Sequence, residues 1–167
     1  MSDARRAIRH VAAGGGRVLE VGTDLVTFKA GQRDGLGSLV LELVCPPGGG
    51  PPPHTDPSEE LIYVLEGEFE FISPGPDGTA THRGSAGDTV AVPKRVAHTF
   101  RNVGSANGQL LVFFRDNEHM QPFFEEMGDV VTDPEGWTPS GPPDMERAMA
   151  AAKRHGVEPV GPPPGES

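Results

Sequence analysis

The sequence predicts a single all-β domain, and three observations carry that expectation. Apolar residues recur in short alternating runs, the period of a strand with one face buried. Clusters of Gly, Pro and Asp separate the runs and supply turn chemistry. The length of 167 residues is that of one domain able to bury a core of its own. Seven such runs suit a sandwich, a jelly roll or a closed barrel.

Arg17 to Lys29 alternates loosely and contains Thr, Val and Phe, residue types that favour strands. Ser38 to Cys45 sets Leu39, Leu41, Leu43 and Cys45 against Val40, Glu42 and Val44. Further strands are expected over Leu61–Ile72, with Gly67 closing a turn, and over Thr79–Arg83, Thr89–Val92, His98–Val103 and Gln109–Arg115. Turns fall at Gly31–Gly37, Pro74–Gly78, Gly84–Gly87 and Gly104–Gly108. Beyond Arg115 the pattern changes. Met120–Met127 reads as a short helix ended by Gly128, its Phe123, Phe124 and Met127 forming a clasp on the barrel. Asp144–His155 reads as a second, Ala-rich helix, with Pro142 and Pro143 ahead of it, Asp144 near its start and Gly156 past its end. The closing Gly-Pro-Pro-Pro-Gly-Glu-Ser is expected to be extended and loosely held. The expected organisation is an N-terminal arm (1–16), a β-barrel (17–116) and an acidic C-terminal extension (117–167) with one or two short helices.

The formal charge of −10 argues against nucleic acid or an anionic membrane as partner, since both select basic surfaces. From Asp116 onward eleven acidic and three basic side chains give a net of −8, so the extension reads as a solvated skin around a nearly neutral barrel. Cys45 is the only cysteine, which leaves no internal disulfide and no cysteine cluster; it reads as a small buried hydrophobe. Met1–His10 is basic with no apolar stretch behind it, and no run has the length of a membrane span, so a cytoplasmic location is expected.

Potential ligands concentrate in two windows, Gly48–Gly67 and Gly87–Asn102. Pro51, Pro52 and Pro53 impose an extended approach on His54, after a sharp turn that Gly48–Gly50 permit. His54 and Asp56, two residues apart on an extended segment, share a face. Glu60 opens the strand; if it points into a barrel, so do Ile62 and Val64, and Tyr63 faces out. In the second window Pro93 stops one strand and His98 opens another, with Phe100 and Asn102 as its alternating members. Two imidazoles and one or two carboxylates from neighbouring strands suit a divalent first-row metal. Asn102 reads as a turn residue, and His10, His82, His119 and His155, lacking partner spacing, as structural or exposed.

These spacings resemble the two signature motifs of the cupin superfamily. The first, Gly, five residues, His-X-His, three or four residues, Glu, six residues, Gly, is met by Gly48, His54, Asp56, Glu60 and Gly67, with Asp56 where the second His belongs. The second, Gly, five residues, Pro-X-Gly, two residues, His, three residues, Asn, is met by Gly87, Pro93, His98 and Asn102, with Arg95 in place of the inner Gly. The resemblance covers roughly Gly35 to Phe114, and Tyr63–Glu68 and Pro122–Glu126 also look like small bacterial cupins of quercetin dioxygenase type. It implies a six-stranded double-stranded β-helix of jelly-roll topology and frequent homodimers. It also implies one divalent transition metal in the barrel mouth, commonly Fe, Mn, Ni, Cu or Zn. The superfamily includes dioxygenases, isomerases, epimerases, decarboxylases, cyclases and non-catalytic binders, so membership does not fix a reaction.

Asp56 leaves three readings open: a fourth ligand beside His54, Glu60 and His98, an acid–base group next to a two-histidine, one-carboxylate set, or the mark of an empty, binding-only barrel. Candidate inward residues Leu39, Leu41, Ile62, Val64, Phe100 and one of Phe113 and Phe114 describe an apolar pocket, better suited to a flat aromatic or polyketide-like small molecule than to a sugar phosphate. The expected function is a metal-dependent, quercetinase-like dioxygenase in which Glu60 or Asp56 takes a proton from the substrate. The alternatives are a non-oxidative isomerase, cyclase or dehydratase using the same carboxylates, and a binding module without chemistry.

Overall fold

The computed structural model describes residues 7–75, 77–115 and 118–161. In chain order these form β1 (Arg17–Val21), β2 (Asp24–Ala30), β3 (Leu39–Cys45), β4 (His54–Thr55), β5 (Glu60–Glu66), β6 (Glu68–Gly75), β7 (Gly78–Ser85), β8 (Thr89–Val92), β9 (Thr99–Asn102), β10 (Gly108–Phe114), α1 (Met120–Met127), β11 (Asp129–Val130), α2 (Met145–His155) and β12 (Glu158–Pro159). One sheet has the order β11-β1-β2-β3-β10-β5-β8 and a second the order β7-β6-β9. The second layer continues through a His98–His54 bridge to β4, which pairs with β12. The expected all-β jelly-roll barrel is thus what the chain forms, with two short helices outside it.

Alternation sets which residues face inward. Leu39, Leu41 and Leu43 on β3 lie opposite Phe114, Val112 and Leu110 on β10, and these lie opposite Glu60, Ile62 and Val64 on β5. The second layer contributes Phe69, Phe71 and Phe100, with ring centroids 6.1–6.3 Å apart. Burial of each such side chain stabilises the fold by about 1.5–3 kcal/mol. The expected Arg17–Lys29 strand divides at Gly22 (φ 62°) and the Leu61–Ile72 strand at Gly67 (φ 93°), both in the left-handed region that glycine enters without strain. Asn102 lies at the closed end of the barrel, donating to the Cys45 (2.7 Å) and Ala106 (2.8 Å) carbonyls and accepting from the Gly104 amide (2.9 Å).

The C-terminal extension is more than a solvated skin. Met120 and Phe123 of α1 join the core, and Phe124 packs on Phe114 at 5.9 Å. β11 adds to β1, and α2 buries Ala151 and Ala152. Asp144 caps α2 by accepting from the Arg147 amide (3.0 Å), and Gly156 ends it at φ 75°. His155 ties α2 to α1 through Glu126 (2.8 Å). Residues 1–6 of the expected arm and 162–167 of the expected loose tail lie outside the described residues. No described helix is long and apolar enough to cross a membrane.

Candidate metal centre

The four candidate ligands come from three pieces of chain that meet at one end of the barrel: β4 with the residues after it, the first residue of β5, and the residue before β9. Gly50 permits the first contact. It adopts φ 141°, and a Cβ there would lie 2.0 Å from the Phe100 carbonyl oxygen, so only glycine lets this segment lie against β9. His54 and His98 then exchange backbone hydrogen bonds of 3.0 and 2.9 Å. Arg95, at φ 62°, occupies the position where the motif expects glycine, and its amide donates to the Asp56 carbonyl (3.0 Å). The strain of a non-glycine residue there is offset from outside, because the Arg95 guanidinium donates to the Gly156 carbonyl (2.8 Å) and faces Glu158 (3.4 Å).

The ring orientations follow from their hydrogen bonds. His54 Nδ1 is 2.8 Å from the Pro52 carbonyl and His98 Nδ1 is 2.9 Å from the Val96 carbonyl. A carbonyl only accepts, so each Nδ1 carries the proton and each Nε2 is turned inward. His54 Nε2 stands 3.3 Å from Asp56 Oδ2, and His98 Nε2 stands 3.6 Å from the same oxygen and 2.8 Å from Glu60 Oε2. Asp56 is 2% exposed, and neither of its carboxylate oxygens receives a hydrogen bond. A buried carboxylate without a partner is costly unless a cation neutralises it. In the ion-free protein, protons meet part of that need. Burial opposes charging of His98, but the Glu60 hydrogen bond and charge outweigh it and push the pKa up to about 9. Burial likewise opposes charging of His54, and the Asp56 carboxylate beside it carries the pKa upward. Burial raises the Glu60 pKa.

The same donors fit a metal ion. His54, Asp56 and His98 each offer an atom, all within 4.8 Å of one another. Metal–ligand bonds near 2.1 Å put neighbouring donors about 3.0–3.4 Å apart; Asp56 Oδ2 is within that range of His54 Nε2, at 3.3 Å, and slightly beyond it from His98 Nε2, at 3.6 Å. Histidines whose second nitrogen donates to a backbone carbonyl are fixed in the tautomer that ligation needs.

Residues 41–114 match the family described as the cupin domain. This barrel has the cupin fold. Its fold is similar to that of the polyketide cyclase RemF from Streptomyces resistomycificus, at 24% identity over 65% of this chain and 79% of that one, with a TM-score of 0.57. A predicted oxalate decarboxylase from Thermotoga maritima shares 18% identity over 64% of this chain and 97% of its own, with a TM-score of 0.55. A RmlC-like cupin from Shewanella frigidimarina shares 19% over 64% and 90%, with a TM-score of 0.53. No curated protein matches the chain.

The cupin fold brings His54, Asp56, Glu60 and His98 together as the two windows suggested, and it excludes a surface position for Asp56. The pocket differs from the expectation. Leu39, Leu41 and Val64 have no exposure and Phe100 and Phe114 almost none, because a small barrel is filled by its own side chains; Phe113 is on the outside. Of the expected lining, Ile62 borders the cavity found here. The cavity, about 470 Å³, opens instead in the seam where β7 and β8 diverge, with Ile62, Phe71, Val90, Val92, His82 and His98 among its walls. His82, read from the sequence as structural or exposed, is exposed and also borders this cavity; alternation along β7, which puts Ala80, His82 and Gly84 on one face, is the signal that places it there. Arg101, on β9, lies beside Glu70 at 3.9 Å.

Proposed function

We propose that this cupin is a metal-dependent enzyme acting on a small oxygenated aromatic or polyketide-like molecule by way of proton transfer. The observation that carries the reading is the buried Asp56 carboxylate, with no hydrogen bond to either oxygen and with two inward imidazole nitrogens at 3.3 and 3.6 Å. His54, Asp56 and His98 would hold the ion, with Glu60 beside His98 left outside that set. When bound, the ion supplies Lewis acidity that favours the deprotonated form of a hydroxyl or enol on the substrate. Glu60 serves as the proton acceptor and donor. Its carboxyl is buried, its pKa is raised by that burial, and it meets the cavity wall through His98, whose Nε2 lies 2.8 Å from Glu60 Oε2. Val90, Ile62 and Phe71 keep the reacting end of the substrate in apolar surroundings.

Two outcomes start from the same deprotonated substrate. With O₂ the chemistry is a quercetinase-like dioxygenation, favoured by the two-histidine, one-carboxylate set within these four residues. Without O₂ it is a cyclisation, isomerisation or dehydration, favoured by the second carboxylate available for acid–base work. O₂ uptake measured together with deuterium wash-in at a carbon acid separates the two. Glu60→Gln is expected to keep metal content while slowing proton transfer about 10²–10⁴-fold, and Asp56→Asn to lose metal. A Glu60→Gln protein that exchanges deuterium at the wild-type rate contradicts the assignment of the base.

A further inference from the structure

His82 is the one imidazole in the cavity wall that the metal centre does not use. In the antiparallel register of the second layer His82 lies opposite Phe71, and Phe71 opposite Phe100. Directly paired residues share a face of a sheet, and the Phe71 and Phe100 rings are buried inside the barrel with centroids 6.3 Å apart. His82 therefore lies on the inner face of β7, exposed at the rim of the seam cavity that His98 also borders. Its neighbour Arg83 faces the other way and pairs with Glu70 at 3.1 Å, while His82 has no hydrogen-bond or charged partner among the described residues. β7 is two strands from β9, roughly 10 Å laterally by ordinary strand spacing. Phe71, Ile62 and Val90 form apolar parts of the wall, beside the polar Ser73, Asp88, Thr89 and Thr99.

We infer that His82 is a substrate-binding residue that hydrogen-bonds an oxygen at the end of the ligand remote from the metal centre. The ligand class follows from the spacing: a flat molecule of bicyclic to tricyclic length, with one oxygen pair for the metal centre, an apolar middle against Phe71 and Ile62, and a hydroxyl or carbonyl at its far edge. This rests on the proposed function, since the near end of the ligand is placed at the metal centre, which His98 joins to the cavity wall. It adds a polar anchor at a distance, which ranks substrates by where their second oxygen lies.

The probes are three fluorescent flavonols that share the metal-facing end: 3-hydroxyflavone, 3,7-dihydroxyflavone and 3,4′-dihydroxyflavone. Each is titrated by fluorescence into the full chain as purified, with far-UV circular dichroism and metal content measured alongside. His82→Phe, which keeps a ring and removes both nitrogens, is expected to weaken at least one dihydroxyflavone about tenfold and to leave 3-hydroxyflavone within twofold. His82→Gln, which retains a donor and an acceptor, is expected to recover most of that loss. Equal weakening of all three probes by His82→Phe, or no weakening of any, overturns the inference and leaves the proposed function standing. If the wild-type chain binds none of the three, the ligand class falls, and the inference falls with it.

Discussion

At the scale of single residues, the centre is governed by where protons sit before an ion arrives. The His98 pKa is pushed up to about 9 against the opposing effect of burial, chiefly by Glu60. Below that pH the incoming ion must displace a proton from Nε2, because ligation needs the neutral ring. Metal affinity is therefore expected to climb about tenfold per pH unit between pH 7 and 8.5 and to level off near the His98 pKa. Titration calorimetry across that range checks it, and a flat profile counts against the assignment. A second buried acid reports on the barrel alone. Asp24, at the start of β2, is raised by burial to about 7, against hydrogen bonds from Thr23 and Cys45 that lower it. The folded state thus holds the Asp24 proton more tightly than the unfolded chain. The resulting stability is complete below about pH 4 and is lost as pH rises toward 7. Asp24→Asn is expected to flatten this part of the melting-temperature profile; an unchanged slope between pH 4.5 and 7.5 would remove Asp24 as its cause.

At the scale of elements, the ligand segment is held from both sides. β9 pairs with it on the inside, and β12 on the outside, where the Val160 amide donates to the Pro53 carbonyl (2.9 Å) next to His54. Truncation after Val157 removes β12 but leaves the α2 cap and the core in place. It is expected to lower metal affinity about tenfold, the effect of losing one or two supporting hydrogen bonds at a ligand, with far-UV circular dichroism little changed. Gly50→Ala is expected to be more severe, since its Cβ would strike the Phe100 carbonyl at 2.0 Å and force the segment off β9. The same elements show what a sequence can reveal. β3 and β5 were legible because strict alternation of Leu39, Leu41, Leu43 and of Glu60, Ile62, Val64 leaves one face for the core. α1 and α2 were legible through Gly128, Asp144 and Gly156, whose chemistry marks helix ends. β4, β11 and β12 were not, because two-residue strands have no period of their own and exist only through the partners that tertiary structure brings to them. The Asp56 carboxylate was legible as a departure from a motif, but its burial and its distance to both imidazoles required the fold.

At the scale of the whole molecule, two sheets close around a filled apolar core and leave their functional opening at one end and along one seam. The interior was expected to be the pocket, and it is occupied instead by Leu39, Leu41, Val64, Phe69 and Leu110, none of which has any exposure. Inward direction is readable from alternation, whereas empty space depends on how side chains from both layers interlock, which alternation does not encode. Because the candidate ligands His54, Asp56 and His98 join the β4 segment to the approach to β9, an ion bound there would cross-link the two, and binding to the folded state alone would stabilise it by about 2.7 kcal/mol at a hundredfold excess over Kd. Removing the metal with a chelator is accordingly expected to lower the melting temperature by roughly 5–10 °C. The most direct test of the central claim is elemental analysis of the chain purified without chelator, set beside its His98→Ala variant. One transition-metal ion per wild-type chain, absent from the variant, is the predicted result; a metal-free wild type that also fails to take up added Mn(II), Fe(II), Ni(II), Cu(II) or Zn(II), or equal metal in both proteins, would contradict it.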